Sequence, residues 1–149
     1  MKRVNESQLE LLVPLYLMKL SKGVLRGRTR LQKLVFLSQQ ELKSKVDYDF
    51  RKAPFGPLSY ELYSVMEQLY GMNFVNEDTD VTDSGNEVII YELTKEGEEF
   101  LDFGLSKNLI APSLRNAINR VFEQYGDMPY VELLDKVHTD YPDYVERIE

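Results

Sequence analysis

The sequence predicts an α+β fold that is mostly α: several helices carrying one small β-hairpin, with a helical extension after it. Two observations carry this reading. Leu58, Leu62, Val65, Met66 and Leu69 recur at the spacing of a single apolar helix face. Beyond them, Asn73-Phe74-Val75 and Val88-Ile89-Ile90-Tyr91 read as two short strands, rich in β-branched and aromatic residues. Residues 76–87 between the strands form a polar, turn-forming loop. Gly56-Pro57 is expected to open the helix, with Pro57 in the first turn, and Gly71 to close it in the left-handed conformation. Thr94 reads as the N-cap of a further helix running through Phe100 and Leu101.

Helix, strand, turn, strand, helix in that order is the distal half of a winged-helix module. The run Tyr91-Glu92-Leu93-Thr94-Lys95-Glu96-Gly97 resembles the Y-x-L-T-x-x-G exit from the wing of PadR- and MarR-type winged-helix regulators.

In the N-terminal third, Ser7-Gln8-Leu9-Glu10 has the S-x-x-E form of a capping box. A nearly all-round apolar helix follows to about Gly23, with a kink or a start expected at Pro14. Val24-Leu25-Arg26-Gly27-Arg28 reads as a glycine-punctuated connection. Thr29-Arg30-Leu31-Gln32 is a second capping box, opening a helix to about Lys45. The strict alternation in Val46-Asp47-Tyr48-Asp49-Phe50 predicts a short half-buried strand, and residues 52–57 a rigid turn. At the other end, Gly104 marks a stop. Pro112 opens a helix with the face Leu114, Ile118, Val121, Phe122 and Tyr125, closed by Gly126. Asp127 is expected to cap a last helix with Val131, Leu134 and Val137 inward, ended by Tyr141-Pro142 and followed by a charged tail. The expected division is a winged-helix domain over residues 1–105. Residues 106–149 would be an extension packed on it or forming a dimer arm.

The segment from Leu25 through Gly27-Arg28-Thr29 and Leu31-Gln32-Lys33-Leu34 to Leu37, with Phe50 and Phe55-Gly56-Pro57-Leu58-Ser59, has a more specific resemblance. It is similar to the G-R-T-x-L-Q-K-L-x-[YF]-L … [FY]-G-P-[YL]-S pattern of YwgA-like proteins, and more distantly to the Panacea (SocA-like antitoxin) domain. The resemblance implies a winged-helix body and a regulatory or antitoxin-like role, and brings no catalytic residues with it.

Composition narrows the chemistry. With no cysteine there is no disulfide, thiolate nucleophile or thiolate metal site. No stretch approaches a membrane span or a secretory signal, so the expected location is the cytoplasm. The lone His138 has no histidine partner for a metal, and no G-x-S-x-G or phosphate-cradling glycine loop is present. Asp78, Asp80 and Thr82 mimic the start of a calcium loop. Asp83 stands where the turn needs Gly and Ile89 where a bidentate Glu is required. No cofactor, metal, membrane or small-molecule substrate is indicated, and the chain is read as non-enzymatic.

Charge is divided unevenly in a chain of net charge −7: residues 1–52 sum to +7 and residues 53–149 to −14. From Ala53 to Thr94 there is no Lys or Arg, against Glu61, Glu67, Glu77, Asp78, Asp80, Asp83, Glu87 and Glu92. A winged helix that docks on DNA through its third helix and wing needs cations there, because phosphate neutralisation supplies most of the affinity. That surface instead reads as a protein-partner face built on Tyr60, Glu61, Tyr63 and Glu67. The cations Lys19, Lys22, Arg26, Arg28, Arg30 and Lys33 gather at the end of the first helix and the start of the second. They are candidates for nucleic-acid phosphate or an acidic partner, and equally for internal pairing. The sequence therefore predicts a regulatory module acting mainly through protein contacts, self-association included. The alternative is a DNA-binding transcriptional regulator using the corner of Arg26, Arg28, Arg30 and Lys33.

Overall fold

A computed structural model describes residues 4–41 and 48–146, with the backbone alone for residues 4–7. Among these are six α-helices and one antiparallel sheet: α1 (Val4–Leu20), β1 (Val24–Arg26), α2 (Arg28–Glu41), α3 (Tyr60–Gly71), β2 (Val75–Val81), β3 (Glu87–Leu93), α4 (Lys95–Ser106), α5 (Pro112–Tyr125) and α6 (Tyr130–Asp140). A 3-10 turn, Pro142–Tyr144, follows. The strand order is β1-β3-β2, with β2 and β3 as the wing hairpin. The architecture is the expected one, α+β and mostly helical, and it is winged-helix-like.

α1 is the centre of the core. Leu12, Leu15, Leu17 and Met18 are fully buried, as an all-round apolar helix requires. The helix begins at Val4, so the Ser7–Glu10 box lies inside it and does not cap it. It also runs through Pro14. The missing N–H of Pro14 removes the intrahelical donor to the Glu10 carbonyl, and the buried Tyr48 hydroxyl donates to that oxygen instead.

The connection expected at residues 24–28 contains β1. Leu25 lies opposite Tyr91 on β3, and Gly27, at φ +107°, donates its N–H to Ile89 O at 2.8 Å. Three residues are too few for a period to show. The hairpin is likewise longer than predicted. β2 pairs with β3 from Val75↔Leu93 to Val81↔Glu87, leaving only a turn around Gly85 (φ +86°). Beyond Val75, β2 is an edge strand exposed on both faces. It has no apolar alternation to reveal it, and its carboxylates discourage pairing with another strand.

Gln32 does not close a capping box. Its amide instead brackets Ser59: Nε2 donates to Ser59 O at 2.9 Å, and Oε1 accepts from Ser59 N at 2.8 Å. Seven residues on, Gln39 holds Tyr48 in the same way, donating to its carbonyl at 3.0 Å and accepting from its N–H at 2.8 Å. Of the strand expected over residues 46–50, residues 48–50 form none, and the second clamp holds Tyr48 instead. Residues 46 and 47, like the expected end of α2 at Lys45, lie outside the described residues. Ser59, rather than Gly56-Pro57, caps α3, its hydroxyl accepting from Leu62 N at 3.1 Å. Gly71 remains helical, and Asn73 (φ +63°) takes the left-handed position after the helix.

Gly104 does not stop α4. It lies buried within the helix, where a Cβ would come 2.8 Å from Leu12 Cδ1. Thr94 caps α4 as expected, accepting from Gly97 N at 2.9 Å. Pro112 and Gly126 bound α5 as expected. Asp127 does not cap α6, whose N-cap position is Pro129 without a side-chain cap. α6 turns Leu133 and Val137 inward and leaves Val131 exposed. α5 packs on α2 and α1, and Tyr16 Oη donates to Asn119 Oδ1 at 2.8 Å.

Candidate functional site

The wing and α3 present the first surface. α3 buries Leu62, Val65, Met66 and Leu69, and this turns Tyr60 (66% exposed), Glu67 and Tyr70 (55% exposed) outward. Glu61 and Tyr63 are half-buried, and the Tyr60 and Tyr63 rings lie 6.3 Å apart. Glu77, Asp78, Asp80, Asp83 and Glu87 are exposed along the hairpin. The face is aromatic and anionic.

The six early cations are not one free patch. Lys19 pairs with Asp102 on α4 at 3.1 Å. Arg26 Nη1 lies 2.6 Å from Asp80 Oδ2 on β2, and that hydrogen bond, more than charge alone, holds the exposed Asp80 carboxyl below its ordinary range. Arg28 sits over the Tyr63 ring at 5.2 Å. Burial pushes the Tyr63 phenol up, and Arg28 opposes the shift. Arg30 reaches across to the α5–α6 junction, where Nη1 donates to Met128 O at 2.8 Å and Gly126 O at 3.3 Å. Desolvation lowers its pKa, with Asp127 acting in opposition.

Lys33 points elsewhere. It is 2% exposed, has no hydrogen-bond or ion-pair partner among the described residues, and burial lowers its pKa to about 8. Its Cε and the imidazole of His138 both lie against Gly56, where a Cβ would be 3.7 Å from Lys33 Cε and 3.6 Å from His138 Nε2. That Nε2 is buried without a hydrogen-bond partner among the described residues. The φ of +102° at Gly56 suits glycine, although the space there would take a Cβ at ordinary van der Waals distances.

Lys22, Arg26, Arg28 and Arg30 line a half-open cleft of about 1110 Å³. Its walls come from β1 and the first turn of α2, from Tyr63 on α3, from the hairpin at Thr82 and residues 86–89, and from the α5–α6 junction at Phe122, Asp127 and Tyr130. The sequence indicated the cations but not the cleft. Nothing local ties Phe122 or Tyr130 to residues about a hundred positions earlier. Lys19 and Lys33 do not line it. Among the described residues, no three His, Asp or Glu side chains gather to hold a metal, and no helix is long and apolar enough to cross a membrane.

The layout of helices, wing and flanking cleft defines an α+β protein of winged-helix-like class. Over 77% of its length the chain is similar to 94% of a crystal structure from Thermoplasma acidophilum described as a "putative transcriptional regulator", with TM-score 0.49 and 22% identity. No protein-family model and no curated protein matches the chain.

Proposed function

We propose that the protein is a non-enzymatic regulatory module that works through protein contacts, with α3 and the wing as its docking face. One observation carries this reading: the surface that would meet a duplex in a winged helix has exposed tyrosines and carboxylates and, from Ala53 to Thr94, no Lys or Arg. Such a face repels phosphate and favours a basic protein surface, with tyrosine supplying apolar contact area. An antitoxin-like role, which the YwgA and Panacea resemblance implies, falls within this reading. So does contact with a second copy of the chain.

The alternative, DNA binding through Arg26, Arg28, Arg30 and Lys33, is weakened by what those groups already do. Arg26 is paired, Arg30 is spent on carbonyl oxygens and Lys33 is buried. Fluorescence anisotropy separates the two readings. An oligo-arginine peptide should bind in a salt-sensitive way, and more weakly to the Glu67→Lys and Glu77→Lys variants. A labelled random duplex should not bind even at low salt. Duplex binding that falls steeply with added salt would replace this reading with the DNA one.

A further inference from the structure

We infer that the cleft at the start of α2 is a binding site for a small organic anion: a carboxylate or phosphate carried on an aromatic or apolar body. The inference does not rest on the partner reading above: the cleft shares Tyr63 and part of the hairpin with that face, but it is argued from the cations around β1 and the start of α2 and is probed by a different ligand.

Volume comes first. At about 1110 Å³ the cleft is slightly larger than the roughly 300–1,000 Å³ typical of ligand pockets. It is large enough for a molecule of nucleotide size. Charge gives the sign of the ligand. In a chain of net charge −7, this cleft is lined by four cations against the two carboxylates of Glu87 and Asp127. A concave, locally positive region on an acidic protein concentrates anions.

The four cations are not equivalent. Arg26 and Arg30 are committed to Asp80 and to the carbonyls of Gly126 and Met128, and they build the walls. Lys22 Nζ and the Arg28 guanidinium N–H groups have no hydrogen-bond acceptor among the described residues, so these two are left to recognise a ligand. The backbone of Lys22 and the side chain of Arg28 are held in place. Lys22 sits in the left-handed region (φ +61°), its N–H donating to Lys19 O at 3.1 Å. Arg28 is steadied over Tyr63, and its planar fork suits the paired oxygens of a carboxylate or phosphate. Val88, Ile89, Phe122 and Tyr130 complete the lining with apolar and aromatic surface. An inorganic ion would leave that surface unused.

The test is calorimetric titration of the intact chain with 1-naphthoate and 1-naphthyl phosphate, with 1-naphthylmethanol and inorganic phosphate as controls. At least one naphthyl anion should bind saturably with Kd below about 1 mM. The favoured arm identifies the head group. Arg28→Gln and Lys22→Asn should each weaken binding about tenfold, equivalent to 1.4 kcal/mol. Both side chains are exposed, and Asn tolerates the left-handed backbone at residue 22. Circular dichroism confirms folding, and either variant suffices if the other is unfolded. Four results would overturn the inference: no saturable binding of either anion, equal binding of the neutral alcohol, inorganic phosphate binding as tightly as the naphthyl ester, or undiminished binding in the folded variants.

Discussion

The Tyr48 hydroxyl donates to the backbone carbonyl of Glu10, the acceptor that Pro14 leaves without its intrahelical donor. A proline in the middle of the central helix is thus compensated by a hydroxyl 38 residues along the chain from the carbonyl it serves. Tyr48 is itself fully buried, and burial keeps its phenol protonated far above the ordinary range. Tyr48→Phe should cost about 1 kcal/mol in urea unfolding, the loss of one side-chain hydrogen bond. In a Pro14→Ala background the same change should cost less, because the helix can then satisfy Glu10 itself. Equal costs in both backgrounds would refute the coupling.

Gln32 is predicted to be the costliest polar side chain to lose. Gln32→Ala strands the N–H and C=O of Ser59, a residue with no exposed surface, for about 3 kcal/mol in total. Gln32→Glu keeps the size but loses the donor and buries a charge, so it should rescue little. Ser59→Ala removes only the cap on α3 and should cost about 1 kcal/mol. Chemical denaturation orders the three.

Lys33 gives the protein a pH dependence of known sign. Its pKa is about 8 in the folded chain against an ordinary 10.5. Between these values the unfolded chain binds more protons, so stability rises with pH across the window and the full cost is carried below about pH 8. By linkage that cost is roughly 3 kcal/mol. Lys33→Met should therefore stabilise the protein at neutral pH by about 1–3 kcal/mol and remove the rise. Comparing the two proteins at each pH cancels the tyrosines, whose raised pKa values act oppositely above about pH 10.

Arg28 and Arg30, two residues apart, should behave differently. Arg30→Ala releases the α5–α6 junction from two carbonyl contacts and should cost about 1–2 kcal/mol. Arg28→Ala loses only a cation–π contact and should cost at most about 1 kcal/mol. Thermal unfolding of the two variants decides.

Gly97→Ala should be among the most damaging single changes, because a Cβ there runs into the carbonyl oxygen of Phe74. That oxygen also accepts from Thr94 N at 3.1 Å, where the wing returns to α4. A loss of more than about 3 kcal/mol, or failure to fold, is expected. Normal expression and melting would show that the approach of α4 to the wing is looser than described.

What was legible in the sequence followed a period or a local chemical rule. The inward face of α3, the Thr94 cap, and the Pro112 and Gly126 boundaries of α5 all rest on residues within a turn or two of each other. The readings that failed rested on the same local rules where a distant group had prior claim. Gln32 has the spacing of a capping box but serves Ser59. Gly104 resembles a stop but makes room for Leu12. Val24 to Arg26 looks like a connection but supplies a strand because β3 has an edge to fill. Six cations close in sequence looked like one corner. The structure sends Lys19 to α4, buries Lys33 beside His138, and leaves four around a cleft.

By itself the sequence determined the class of fold, the inward face of α3 and the absence of Lys and Arg from Ala53 to Thr94, because composition and periodicity survive any arrangement of the chain. Tertiary structure alone decided which cations are engaged, and that the wing and the C-terminal helices meet around the start of α2. Pairing, burial and concavity are relations between residues distant in the chain. A side chain's availability is set by whichever acceptor folding brings within about 3 Å of it.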